Sequence, residues 1–295
     1  MSPKKTIGFI GFGEVAMIYG KLLKEQNWTV FVYDHRYGEE STRADSKRNK
    51  AKQLGIEYVP SLEVLVHHTS NLLSTVTPSS ASQIAKNISL LVSKHHVFLD
   101  LNSTNPKVKM ENSKYFQAAN CPYLDGVIMR SPQVTGSQTP IYYSGEIELH
   151  HLPSSVFHLK RVGQIVGQAS AMKMCQSIIT KGIQCLVWEQ ILLAEKWNIQ
   201  QIMAENLDEL FLNRSYSDWV DYAITSNIIH SKRRQQEIGM AVDFLKEMNF
   251  NAFQSEAICQ TLNWISEQNL HKLLDEKMTN EEFLQFIISE GSRQI

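Results

Sequence analysis

All eight prolines of this 295-residue chain lie before residue 154, as do nine of its fourteen glycines, and residues 154–295 contain no proline. Proline lacks a backbone donor and breaks helix interiors, whereas Pro and Gly together punctuate short elements. The distribution therefore predicts two architectures in one chain: short alternating elements first, long helices after. With 43% hydrophobic residues, both parts can bury a core.

The 29 Lys and Arg balance 30 Asp and Glu, so a net charge of -1 provides no global field to collect nucleic acid or an acidic membrane surface. Cys121, Cys175, Cys185 and Cys259 have no CxxC spacing and are too few for a disulfide scaffold, which fits reduced thiols in the cytoplasm. The opening MSPKKTIGFIGFG has an apolar run broken by glycines and leads to no cleavage-like site. No apolar run reaches membrane-spanning length, so a cytoplasmic protein without a membrane partner is expected. The adjacent pairs His67-His68, His95-His96 and His150-His151 join no other ligands at a zinc-like spacing, and no metal is expected.

Thr6 to Ile10 reads as a buried strand, Glu14 to Gln26 as an amphipathic helix, and Thr29 to Tyr33 as a second strand. A charged stretch follows, whose later part should be a solvated helix ending at Gly55. Strands at 57–59, 71–76 and 97–101 alternate with helices at 61–66, 80–93 and 106–119, which implies parallel pairing in a doubly wound α/β sheet. Strands at 123–129 and 141–144 flank a Pro/Gly/Ser-rich connection. From Gly167 the pattern becomes helical: Gln168 to Lys196 can form one helix about 43 Å long at 1.5 Å per residue. Further helices are expected at 199–212, 217–229, 233–248, 253–275 and 280–289. The boundaries predicted are 1–166 for a dinucleotide-binding domain and 167–295 for an all-helical domain beginning with the long helix.

Gly11-x-Gly13-x-x-Ala16 falls between the first strand and the first helix, the context in which this pattern signifies dinucleotide binding. Gly11 permits the tight turn, Gly13 lets backbone approach a pyrophosphate, and Ala16 allows close helix-to-strand packing. Glu14 and Val15 open the helix whose N-terminus would face the phosphates. Asp34, 21 residues after Gly13, ends the second strand and can accept hydrogen bonds from the adenosine ribose. A carboxylate there favours NAD, but Arg36, Arg43, Lys47 and Arg48 follow and offer either a solvated face or a clamp for the 2′-phosphate of NADP.

GFIGFGEVA at 8–16, VTP at 76–78, DLNSTNP at 100–106 and GQASAMK at 167–173 resemble the β-hydroxyacid dehydrogenase family, related to 6-phosphogluconate dehydrogenase, and within it a branch with a distinctive C-terminal domain. The resemblance spans nearly the whole chain and weakens after residue 250. It implies a Rossmann-like N-terminal domain with a mostly parallel sheet, a long interdomain helix, an all-α C-terminal domain, and homodimers that share that second domain. It also implies NAD or NADP as cofactor, with Val76, Thr77, Pro78 and Asn102 beside it.

The lysine that exchanges a proton with the substrate oxygen in that family matches Lys173, whose place on an apolar helix face should lower its pKa. A lysine snorkelling to solvent is the alternative reading. Where the family often has Asn one turn later, this chain has Ser177, and Lys181 follows another turn on as either an anion contact or a surface lysine. Asp100-Leu101-Asn102-Ser103 departs from the family's Asp-x-Ser-Thr but leaves Asn102 and Ser103 as substrate contacts at a strand's carboxyl end. After Asp125-Gly126 a glycine-rich segment is replaced by Met129-Arg130-Ser131, so Arg130 could pair with a substrate carboxylate or close a structural ion pair. Arg233 and Arg234 lie within a turn of Glu237, an ordinary helical pairing or a contribution to a partner's site.

The resulting expectation is a dehydrogenase or reductase that moves hydride between a nicotinamide and a small organic acid, most simply a hydroxy acid. An imine or keto-acid reductase is the neighbouring alternative. The substitutions at Met129, Arg130 and Ser177 also suit a catalytically silent dinucleotide-binding regulator.

Overall fold

The computed structural model describes residues 5–212, 215–268, 270 and 279–291. These residues form two compact units, Met1–Ile178 and Ile179–Ile295.

The first unit is built on one eight-stranded sheet. Its strands are β1 (Thr6–Ile10), β2 (Thr29–Tyr33), β3 (Glu57–Tyr58), β4 (Asn71–Ser74), β5 (Val97–Asp100), β6 (Tyr123–Ile128), β7 (Pro140–Ser144) and β8 (His158–Gly163), in spatial order β3-β2-β1-β4-β5-β6-β7-β8. Every neighbouring pair is parallel except β6 with β7. The first six follow the Rossmann order. Helices α1 (Glu14–Glu25), α2 (Thr42–Leu54), α3 (Leu62–His68), α4 (Pro78–Ser89) and α5 (Pro106–Gln117) make the crossovers. A short helix, α6 (Pro132–Thr135), and a 3-10 turn occupy the connection between β6 and β7.

Successive strand residues point to opposite faces, so each central strand supplies two cores. Leu73, Leu99 and Leu124 pack with Ala16, Tyr19 and Leu23 of α1. Their neighbours Leu72, Phe98 and Tyr123 pack with Leu65 of α3, Ile88 of α4 and Phe116 of α5. Near-continuous apolar strands are what a sheet covered on both faces requires. Strand β8 was absent from the sequence reading. It is the outermost strand of its edge and carries Lys160 and Arg161, a composition that suits an edge and weakens the hydrophobic pattern.

Helix α7 (Gln168–Lys196) is continuous, begins in the first unit and continues into the second. The second unit contains α8 (Gln200–Leu212), α9 (Tyr216–Glu247), α10 (Phe253–Glu267) and α11 (Asn280–Gly291). Ser215 and Asp218 form a reciprocal capping box that starts α9. The two helices expected at 217–229 and 233–248 are one: His230-Ser231-Lys232 is polar but contains neither Pro nor Gly, and Ser231 stays buried three residues after buried Ile228. The expected helix 253–275 is helical to Glu267, and residues 271–278 lie outside the described residues. Ile228 packs with Leu270 and Phe283, while Val242 and Leu245 pack with Ala252 and Leu193. Among the described residues no helix is long and apolar enough to cross a membrane, and no group of His, Cys, Asp and Glu could hold a metal.

Candidate cofactor and active site

The carboxyl ends of β1, β2, β4 and β5 place the glycine turn, Asp34, the 76–78 segment and Asn102 along one end of the sheet. Gly11 has φ +94°, its N–H donates to the Tyr33 carbonyl at 2.8 Å, and a Cβ on it would stand 2.7 Å from the Thr75 carbonyl oxygen. No residue with a side chain fits there unstrained. Gly13 differs: it is the N-cap of α1, provides no side-chain cap, and a Cβ on it would meet nothing within 4 Å. Exposed Glu14 and half-buried Val15 open the helix beyond it. A glycine cradle before an uncapped twelve-residue helix fits a pyrophosphate. Helix α4 starts similarly, with Thr77 as N-cap without a side-chain cap and Pro78 following Val76-Thr77.

Asp34 is 4% exposed. Its Oδ2 accepts the Phe12 N–H at 2.9 Å and is also bonded by the Lys47 ammonium, while Oδ1 accepts the Arg36 N–H at 3.1 Å. Burial pushes this carboxyl up, but Lys47 and the Phe12 and Arg36 N–H groups outweigh burial and hold it below its ordinary value. The Arg36 guanidinium itself is bound to Glu39 at 3.1 Å. The sequence offers Lys47 only as one of four cations, on a solvated face or in a phosphate clamp, and does not pair it with Asp34. The signal that could have singled it out is its register on α2, three residues after buried Ala44 and four before buried Ala51.

Asn102 is buried; its Nδ2 donates to Ser74 Oγ at 2.9 Å, and its Oδ1 has no partner among the described residues. An unpaired buried acceptor at a strand's carboxyl end suits a donor group on a ligand. Ser103, next along, is exposed and accepts a hydrogen bond from Lys173 Nζ at 2.9 Å; the same ammonium donates to the Ile128 carbonyl at 2.9 Å. The first unit thus brings Lys173 onto Ser103, the residue that follows Asn102. Arg130 follows β6, is exposed, and has no ion pair among the described residues. Ser177 is half-buried one turn after Lys173, whereas Lys181 is exposed and falls in the second unit. Arg233 and Glu237 are 3.7 Å apart as an exposed i,i+4 pair, the ordinary helical pairing.

Beneath Lys173 lies a charge network absent from the sequence reading. Lys109 is fully buried, 2.9 Å from Asp100 Oδ1 and 3.5 Å from Asp125 Oδ1. Asp100 also accepts the Tyr123 hydroxyl at 2.6 Å and the Asn102 N–H at 2.9 Å. Burial, then the Asp100 charge, push the Tyr123 hydroxyl well above its ordinary value, which keeps it a donor. Asp125 accepts the Ser170 N–H at 2.8 Å and the Ser170 hydroxyl at 2.6 Å, and the Ala169 N–H donates to Ser144 Oγ at 3.2 Å. These bonds satisfy amides in the first turn of α7 and set a negative charge against its positive end. They fix the segment that carries Lys173 against β6 and β7. The signal was the inward register of α5, where buried positions 109, 112 and 116 share a face.

No protein-family profile matches the sequence. An uncharacterised 28.5 kDa protein from the 7S RNA 5′ region of Methanothermus fervidus is 28% identical over 246 residues, covering 82% of this chain and 92% of that protein. A conserved hypothetical protein from Sinorhizobium meliloti 1021 shares the fold at TM-score 0.63 and 26% identity over 89% of this chain and 88% of its own. A conserved protein of unknown function, described as structurally similar to 3-hydroxyacid dehydrogenases, superposes at TM-score 0.62 and 25% identity over 90% and 98% of the two chains. An imine reductase from Myxococcus stipitatus in complex with NADP+ matches at TM-score 0.69 and 15% identity over 89% and 94%. The structural neighbours are thus 3-hydroxyacid dehydrogenase-like proteins and imine reductases, in agreement with the family the sequence resembles. The Rossmann-like sheet followed by a helical C-terminal region is their common fold.

Proposed function

We propose that the chain is an NAD(P)-dependent oxidoreductase that transfers hydride between a nicotinamide and a small organic acid, with Lys173 as the general acid and base. The observation that carries this reading is the Lys173 ammonium, held 2.9 Å from Ser103 Oγ at the same end of the sheet as the open Gly13 cradle and the unpaired Asn102 Oδ1. The Gly11–Gly13 turn and the α1 N-terminus would hold the pyrophosphate, and Asn102 would accept a donor of the bound cofactor or substrate. When bound, the nicotinamide supplies or accepts the hydride.

The protein's own part is positioning and proton transfer. In the reducing direction the Lys173 ammonium gives a proton to the substrate oxygen, and in the oxidising direction the neutral amine removes it. Ser103 and Asn102 orient the substrate, and Arg130 is an exposed cation for its carboxylate. Reduction of an imine or a keto acid uses the same groups and is the second reading, favoured by the imine reductases of this fold.

Exposed apolar residues in the second unit, including Ile183, Val187, Ile191 and Trp188, the last at 68%, suit cover by a second copy, and we include a cytoplasmic homodimer in the proposal. Sedimentation at micromolar concentration is expected to give a dimer, and a monomer would refute that element.

The chemistry is tested by oxidation and reduction of hydroxy acids, keto acids and imines with both cofactors. Lys173→Ala is expected to lower kcat at least a hundredfold on any substrate found while leaving cofactor affinity intact. Full turnover by that variant would remove Lys173 from the mechanism. Cofactor binding without turnover of any compound would instead favour the silent regulator.

A further inference from the structure

The Asp34 carboxylate is occupied from within the chain. Capturing a ribose diol through both oxygens needs a free lone pair on each. Oδ2 already has two donors, Phe12 N–H and Lys47 Nζ, and Oδ1 has Arg36 N–H with His35 Nδ1 3.5 Å away. Lys47 is itself held firmly in place. Ser41 caps α2 through the Ala44 N–H at 3.2 Å, and Gly55 ends the helix in the left-handed conformation. Arg48 ties α2 to the preceding turn, donating to the Tyr37 carbonyl at 2.8 Å and pairing with Asp45 at 2.5 Å. Only 17% of the Lys47 side chain is exposed.

Two of the neighbouring cations are differently committed. Arg36 is paired with Glu39, and Arg48 with Asp45 and backbone carbonyls. Lys47 is thus the cation that pairs with the carboxylate at which NAD and NADP are told apart. A bare carboxylate there repels a 2′-phosphate. A carboxylate neutralised by a fixed ammonium does not, and the ammonium is a point charge suited to phosphate.

We infer that Lys47 is the cofactor-specificity residue of this chain: it cancels the charge of Asp34 and binds the 2′-phosphate, so that NADP(H) is preferred over NAD(H). The inference rests on the dinucleotide site proposed above, which leaves the choice of cofactor open, and reverses the reading of Asp34 as a selector for NAD.

The test is titration of the full chain with NADPH and with NADH, read by nicotinamide fluorescence, for the wild type, Lys47→Met, Lys47→Arg and Asp34→Asn. The wild type is expected to bind NADPH at least tenfold more tightly. Lys47→Met should weaken NADPH at least tenfold and NADH less than threefold, Lys47→Arg should keep the preference, and Asp34→Asn should tighten NADPH. In the wild type alone, adenosine 2′,5′-bisphosphate should compete at least tenfold better than AMP, so the outcome does not depend on a variant folding. A preference for NADH, equal competition by the two nucleotides, or equal weakening of both cofactors by Lys47→Met would overturn the assignment of Lys47. Binding of neither cofactor by the folded wild type would overturn the dinucleotide site itself, a distinct result.

Discussion

Alanine substitutions at Gly11 and Gly13, two positions apart, should separate folding from binding. Gly13 has φ -101° and ψ -167°, an extended conformation open to any residue, and a methyl group there meets nothing within 4 Å. Restricting the unfolded chain contributes about 0.4–1 kcal/mol of stability, while alanine is a poorer N-cap than glycine by about the same amount. The fold should therefore stay within about 1 kcal/mol of wild type, or roughly 2–4 °C in Tm for a unit of this size. The methyl nevertheless enters the space assigned to the pyrophosphate. A loss of ten- to hundredfold in affinity, about 1.4–2.8 kcal/mol, is expected for both NADH and NADPH. Gly11→Ala has the opposite character. At φ +94°, with a Cβ 2.7 Å from a backbone carbonyl that cannot swing away, it should cost about 1–3 kcal/mol of stability from backbone strain. Thermal melts and fluorescence titrations of both variants measure the two effects separately. A Gly13→Ala protein that melts like wild type and binds cofactor equally well would show that the cradle holds no phosphate.

Two further outcomes concern buried charge. Lys109→Met leaves Asp100 and Asp125 facing each other without a cation, and breaking such a pair costs about 3–5 kcal/mol; a melting shift worth under 1 kcal/mol would mean that the remaining donors of Tyr123, Asn102 and Ser170 suffice. Asp34, whose folded value lies below its ordinary 3.8, contributes stability that is present above pH 3.8 and is lost as pH falls through the folded value. Lys47→Met should accordingly lower the melting temperature at pH 7, and its deficit should shrink on acidification below pH 4; a deficit that grew there would refute the pairing.

Much of the fold was legible because its signals are local. The glycine turn, the apolar strands and the proline-free stretch from Gly167 each report on neighbours a few positions away, and the parallel sheet and the helical region that follows it are found where these signals put them. The gap expected between the helices at 217–229 and 233–248 does not exist, because a helix tolerates the polar His230-Ser231-Lys232 where neither Pro nor Gly intervenes. Strand β8 escaped because an edge strand need not show the periodicity of a covered one.

The candidate site was legible to a different depth. Lys173, Asn102, Ser103 and Asp34 stood out as residue types in motifs, but the groups that determine what they do lie at sequence separations without a pattern: Lys47 thirteen positions from Asp34, and Ser170 forty-five from Asp125. A carboxylate at the end of β2 has one meaning when bare and another when an ammonium from α2 rests on it. Likewise, Lys109 on an otherwise ordinary helix becomes interpretable only when Asp100 and Asp125 are found on either side of it. Burying a cation with two carboxylates is costly unless each is further bonded, and here the further bonds run to Asn102 and to the first turn of α7. The same contacts that offset the burial of charge therefore fix the backbone of Asn102 and the start of the helix carrying Lys173. Stability and the geometry of the proposed chemistry depend on one set of residues, none of which need touch a substrate.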